Sequence, residues 1–152
     1  MDRSALLDRY RTGYQDVEDS LAGITPEELD RVPPSGWTAR QIAHHLADSE
    51  ATAYVRLRRI VAEQAPLIAG YDEGLFARRL HYDRPIELSL AVLRAVREAN
   101  LQLLGSLTDD EWKRAGTHSE SGLYSVGTWL AIYAAHSHDH ADQIRRARRG
   151  ED

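Results

Sequence analysis

The stretch Ala134–Ile144 reads AAHSHDHADQI, and two of its histidines, His136 and His140, stand one helical turn apart. The apolar residues around them, Trp129, Ile132, Tyr133, Ile144 and Ala147, recur at helical spacing and form one stripe. At roughly 100° per residue, His136 and His140 fall within about 20° of the centre of that stripe, whereas His138 points about 180° away. An imidazole on a face that should be buried needs a partner for both ring nitrogens, and one metal ion can satisfy two such rings at once. A pair at i and i+4 presents both rings from one helical face, close enough to bind one ion at about 2.0–2.1 Å. The alternative for the pair alone is two polar residues at a helix seam, hydrogen-bonded to Asp or Tyr side chains.

A second helix supplies a third inward histidine. In Gln41–Glu50, QIAHHLADSE, the apolar face is Ile42, Leu46, Ala53, Leu57 and Ile60. His45 lies on the flank of that face and His44 projects roughly to the opposite side. The wheel therefore selects His45, His136 and His140 as candidate metal ligands and rejects His44 and His138. His81 and His118, the last of the seven histidines, fall in connections where phase gives no argument.

Working outward, Leu6, Tyr10, Tyr14, Val17 and Leu21 repeat at helical spacing and predict a first long helix. Thr25-Pro26-Glu27-Glu28 is a capping box with proline at the first helical position, which predicts a short helix closed by Pro33, Pro34 and Gly36. Thr38 with Gln41 is a second capping box, opening a long helix through about Glu63, with Pro66 and Gly70 beyond it. Tyr71 to Tyr82 reads as a connection with one short helix. Pro85 opens a helix that is apolar on two sides, with Leu90, Leu93, Val96 and Leu104 beside Leu88, Val92, Ala95 and Leu103. Thr108 and Glu111 cap another short turn, Gly116 to Leu123 reads as a polar loop, and a last helix spans about Ser125 to Arg149. No alternation of period two stands out. The expectation is an all-α four-helix bundle with short extra helices in its connections, one domain over residues 1–152.

Bulk properties narrow the function. The chain has 152 residues, 42% apolar and 28% charged, ordinary for a globular domain and not for a disordered chain. Cysteine is absent, which excludes disulfides, thiolate ligands, iron–sulfur clusters and a cysteine nucleophile. No apolar run approaches the roughly 20 residues of a membrane span, and MDRSALLDRY carries no signal-peptide core, so the expected location is the cytoplasm without membrane association. A net charge of -5 argues against nucleic acid as a partner. Arg145, Arg146, Arg148 and Arg149 are read as cations placed favourably near a helix C-terminus.

The segment Gly36–Glu50, GWTARQIAHHLADSE, resembles the second helix of the DinB/YfiT-like superfamily, and Trp129–Ile144 with its two histidines resembles that family's last helix. The Pro-containing connection after the second helix and Leu107–Arg114, LTDDEWKR, are similar to the YfiT branch, so the resemblance spans nearly the whole chain. It implies an up-down-down-up bundle, often a homodimer, with one divalent ion, commonly zinc or nickel, on three histidines. Carried over residue by residue, those ligands are His45, His136 and His140. Some YfiT-like members carry histidine where this chain has Glu50. That residue is a candidate water-activating base, although its place on the flank opposite His45 favours a boundary glutamate reaching solvent. Asp48 and Asp139 are candidates to support the ligands from behind, but their wheel positions favour solvated charges.

Three neutral nitrogens leave a divalent ion its full charge and an open coordination position, which favours chemistry over scaffolding. The resemblance implies a thiol S-transferase, of the kind that uses bacillithiol or mycothiol, or a metal-dependent hydrolase that activates water. The expected activity is transfer of a low-molecular-weight thiol to a small-molecule electrophile. Hydrolysis is the alternative, and a non-catalytic metal-stabilised stress or binding protein is a third.

Overall fold

A computed structural model describes residues 1–34 and 36–152. Its long helices are α1 (Arg3–Leu21), α3 (Ala39–Ala62), α5 (Glu87–Ser106) and α7 (Val126–Ala147). Short helices α2 (Pro26–Leu29), α4 (Glu73–Arg79) and α6 (Asp109–Trp112) lie in the connections. The starts are set by side chains that accept from otherwise unsatisfied N–H groups. Asp2 accepts from Ala5 N at 2.8 Å and Ser125 from Thr128 N at 3.0 Å. Reciprocal capping boxes close at Thr25/Glu28, Thr38/Gln41 and Thr108/Glu111. Helix α5 begins at Glu87, two residues after Pro85, with Ile86 as its N-cap and no side-chain bond there.

Cross-helix contacts fix the directions. Gly13 faces Ser137, Asp16 pairs with Arg145, and Arg148 donates to Ser20 O, so α1 and α7 run parallel. His44 meets Ser89 and Arg58 meets Asn100, so α3 and α5 are parallel too. His45 meets His140 while Ala53 O accepts from Trp129 Nε1, which makes α3 antiparallel to α7. Tyr10 with Asn100 and Tyr14 with Arg94 make α1 antiparallel to α5. The bundle is therefore up-down-down-up. Because α3 and α5 start at the same end, their connection must travel back along a 24-residue helix, about 36 Å.

That return carries β1 (Leu67–Ile68), which joins β2 (Ala115–His118) and β3 (Gly122–Ser125) from the α6–α7 connection in a small sheet of order β1-β2-β3. β1 pairs parallel with β2, Ile68 opposite His118, and β2 pairs antiparallel with β3, Ala115 opposite Ser125. The Gly116–Leu123 segment, expected as a polar loop, is thus mostly a hairpin. Its strands are too short to register as alternation. Gly116 is required there, since a Cβ would stand 2.3 Å from Pro66 O.

The core is in two parts. Tyr10, Leu57, Leu104 and Trp129 centre one cluster; Val17, Ile42, Leu46, Leu93 and Ile144 centre the other. Between them every long helix contributes polar or minimal residues: Gly13, His45 with Glu50, Arg97 with Asn100, and His136 with Ser137. A polar layer crosses the bundle at mid-length. Gly13 lets α1 close over it, because a Cβ would meet Arg97 Nη2 at 2.7 Å and Ser137 Cβ at 2.9 Å.

Candidate metal centre

One side of this layer is a histidine cluster. His45, on the second turn of α3, meets His136 and His140 from α7, and one ring nitrogen from each lies within 4.8 Å of the others. His45 Nε2 and His136 Nε2 are 3.3 Å apart. Ring centroids are separated by 5.3 Å for His45–His136, 4.8 Å for His45–His140 and 4.5 Å for His136–His140. The i, i+4 spacing on α7 and the antiparallel approach of α3 produce this convergence.

Burial keeps these rings neutral, because charging an imidazole inside the bundle forfeits its hydration. It lowers His136 to about 2, with His140 and His45 adding repulsion, and His45 to about 4, with His140 adding to it. His140 is also held below its ordinary value by burial, against the pull of Gln143. Gln143 Oε1 faces His140 Nδ1 at 2.7 Å, so the other nitrogen is left for the cluster. Nδ1 of His45 and of His136 are buried without a hydrogen-bond partner. Those two rings are held by aromatic edges instead, Trp37 on His45 at 5.3 Å and Tyr133 on His136 at 5.8 Å. Three neutral imidazoles with converging nitrogens are a donor set that suits a divalent first-row ion.

The other side of the layer holds Glu50, which is 0% exposed. The wheel favoured a glutamate reaching solvent. Instead Glu50 Oε1 accepts from the Tyr10 hydroxyl and Oε2 from Arg97 Nη1 at 2.9 Å. Arg97 also donates to Ser137 Oγ at 2.9 Å, and Asn100 Nδ2 donates to Tyr10 Oη at 3.0 Å. Both carboxylate oxygens are engaged in a network touching all four long helices. Arg97 and Asn100 were missed, although a phase argument finds them: they continue the Leu93–Leu104 stripe at spacings of four, three and four.

The remaining candidates lie elsewhere. Asp48 accepts from the Tyr82 hydroxyl at 2.6 Å, and Asp139 is exposed. His44 is buried rather than solvated, bonded to Ser89 Oγ at 2.7 Å and Arg84 O at 2.9 Å, because α5 and the segment before it cover that side of α3. His138 points away from the cluster, with Asp16 Oδ2 2.6 Å from its Nδ1. His118 accepts from Glu120 N, and His81 is exposed at a positive φ of 54°. A cleft of about 300 Å³ opens beside His140, lined by Trp37, Asp139, Gln143 and Arg146.

An up-down-down-up bundle with one buried and two partly buried histidines converging between two helices defines a class of helical proteins with a candidate metal centre. Residues 9–144 match the DinB superfamily, and the chain belongs to that family. A protein of Oceanobacillus iheyensis named "putative metal-dependent hydrolase" is 38% identical over 129 residues, 84% of this chain and 75% of that one. A Bacillus mycoides protein with the same description is 29% identical over 150 residues, 94% of this chain and 86% of its own. Among solved structures, YfiT from Bacillus subtilis superimposes with a TM-score of 0.90 at 27% identity, covering 98% of this chain and 89% of that one. It is described as "a probable metal-dependent hydrolase with an unusual four-helix bundle topology".

Proposed function

We propose that the chain is a metal-dependent enzyme that transfers a low-molecular-weight thiol to a small electrophile, with His45, His136 and His140 holding one divalent ion, zinc or nickel. When bound, the ion supplies a Lewis-acid charge that lowers the pKa of a thiol or a water coordinated to it. The histidines contribute lone pairs and no charge, so they leave that acidity undiminished. Gln143 orients the His140 ring, while the Trp37 and Tyr133 edges pack against His45 and His136 and keep water from their outer faces. The cleft beside His140 gives a small molecule room next to that ring.

The observation that carries the thiol reading is the engagement of Glu50. With both oxygens committed to Tyr10 and Arg97, Glu50 does not serve as a base at the cluster. A thiol, with an ordinary pKa of about 8.5 against about 15.7 for water, needs the least help beyond the ion. Hydrolysis is the second reading, favoured by the names its relatives carry. The described residues include no helix long and apolar enough to cross a membrane, and we place the protein in the cytoplasm, where thiols stay reduced. We also read it as a homodimer, through the outward Leu88 and Val92 of α5, which are 81% and 43% exposed.

The test is turnover of a haloarene electrophile by zinc- or nickel-loaded protein with and without added thiol. Thiol-dependent turnover that disappears on chelation supports transfer. Thiol-independent ester or amide hydrolysis with the same metal dependence moves the assignment to hydrolase. A chelation-sensitive melting temperature without turnover of either kind overturns both enzyme readings in favour of a metal-stabilised binding protein.

A further inference from the structure

Farther along α3 from His45, Arg56 occupies an unusual place. His45, Ser49, Thr52 and Arg56 follow one another at spacings of four, three and four, so they share one face of α3. Arg56 Nη1 donates to Tyr133 Oη at 3.2 Å and Nη2 to Ala69 O at 2.7 Å. Both acceptors are neutral, and Arg56 Nε is buried with no partner. No ion pair of Arg56 occurs among the described residues, in contrast to Arg97, whose charge meets Glu50. A second donor lies alongside. The Tyr71 hydroxyl is also buried, with the Ser49 side chain beside it, and its ring sits 5.9 Å from the Arg56 guanidinium, braced by Phe76 at 4.6 Å.

Arg56 is half-buried and carries its charge without an anion, a deficit that an anionic ligand would relieve. Arg56 and Tyr71 both act as donors. A phenol keeps its proton at neutral pH, and burial pushes that of Tyr71 higher still, to about 12. A cleft of about 480 Å³ between α3, β1 and α4, lined by Asp48, Thr52, Arg56, Arg59, Ile68 and Phe76, opens beside the Arg56 guanidinium. The route to the histidines is short, since Tyr133 touches both Arg56 and the His136 ring.

We propose that Arg56, Tyr71 and Tyr133 receive the carboxylate of a small molecule whose other end reaches His45, His136 and His140. One cation and two phenols suit a monoanion better than a doubly charged phosphate. The substrate class is thus a short thiol bearing a carboxylate. This deepens the proposed function and rests on it, so the two must be able to fail separately.

The experiment compares 3-mercaptopropionate with 3-mercapto-1-propanol, equal in length but differing in charge, on cobalt-loaded protein by visible absorption. The carboxylate thiol is expected to bind about tenfold tighter. Arg56→Gln abolishes that advantage and Tyr71→Phe reduces it, while affinity for the neutral thiol is unchanged. Unchanged neutral-thiol affinity also shows that the variants are folded, and Tyr71→Phe decides if Arg56→Gln does not fold. Equal affinities in the wild type, or an advantage surviving in Arg56→Gln, overturn the proposal. If neither thiol perturbs the cobalt spectrum, the thiol reading fails, and succinate titrated into the same protein judges the carboxylate site alone. Trp129, whose ring is 5.0 Å from Tyr133, reports by fluorescence. Saturable quenching lost in Arg56→Gln supports the site, and its absence in wild type overturns it.

Discussion

Replacing Arg97 with methionine removes the cation from a carboxylate that has no route to solvent. Glu50 is 0% exposed, and its remaining polar neighbours are the Tyr10 hydroxyl and the Asn100 side chain. Ser137 Oγ and the Tyr10 and Tyr133 carbonyls each lose a donor as well. Breaking a buried pair on one side costs about 3–5 kcal/mol. For a chain of this size that corresponds to a fall in melting temperature of about 6–20 °C. Because total stability is about 5–15 kcal/mol, a large share of the fold's margin goes with one side chain. Removing both partners together, as Glu50→Leu with Arg97→Met, leaves no orphaned charge, so the double variant should recover most of the loss. Urea unfolding followed by circular dichroism, at constant slope, measures all three proteins on one scale. Metal content should be unchanged in the double variant, since the network lies beside the histidine cluster and supplies none of its nitrogens. A loss below about 1 kcal/mol for Arg97→Met would refute the reasoning, because solvent or a neutral Glu50 would then already carry the balance.

Alanine at His136 or His140 should abolish stoichiometric binding of zinc or nickel by elemental analysis, whereas His44→Ala and His138→Ala should leave it nearly intact. Loss of metal in His138→Ala as complete as in His136→Ala would contradict the cluster. Metal-free protein should lose stability as pH falls. His45, His136 and His140 have folded values below their unfolded value of about 6.5. The unfolded chain therefore binds more protons, and stability is full above about 6.5 and declines below it. The slope is about 1.4 kcal/mol per pH unit for each histidine, persisting down to about 4 for His45 and to about 2 for His136. A melting temperature flat between pH 7 and 5 after chelation counts against it. Light scattering should give twice the 17.1 kDa chain mass, and Leu88→Glu with Val92→Glu should return the monomer.

Helical phase alone determined a great deal about this protein. Four amphipathic stripes and three capping boxes carry the bundle, since local hydrogen bonds and a 3.6-residue period are written in neighbouring residues. The same phase marked His45, His136 and His140, because an imidazole on an apolar stripe is visible without knowing its partner. It also rejected His138, which the structure turns toward Asp16. What lay beyond it depends on contacts between residues far apart in the chain. The hairpin across Gly116–Leu123 is extended into a sheet by β1, which arrives from the return connection to pair with β2. His44 is buried by α5, an element the wheel of α3 does not contain. Glu50 illustrates the limit best: its place on α3 is that of a boundary residue, and only the arrival of Arg97 and Tyr10 from two other helices makes burial of its charge tolerable. Periodicity reports which way a side chain faces; the charge that neutralises it comes from another helix, and only packing brings that helix near.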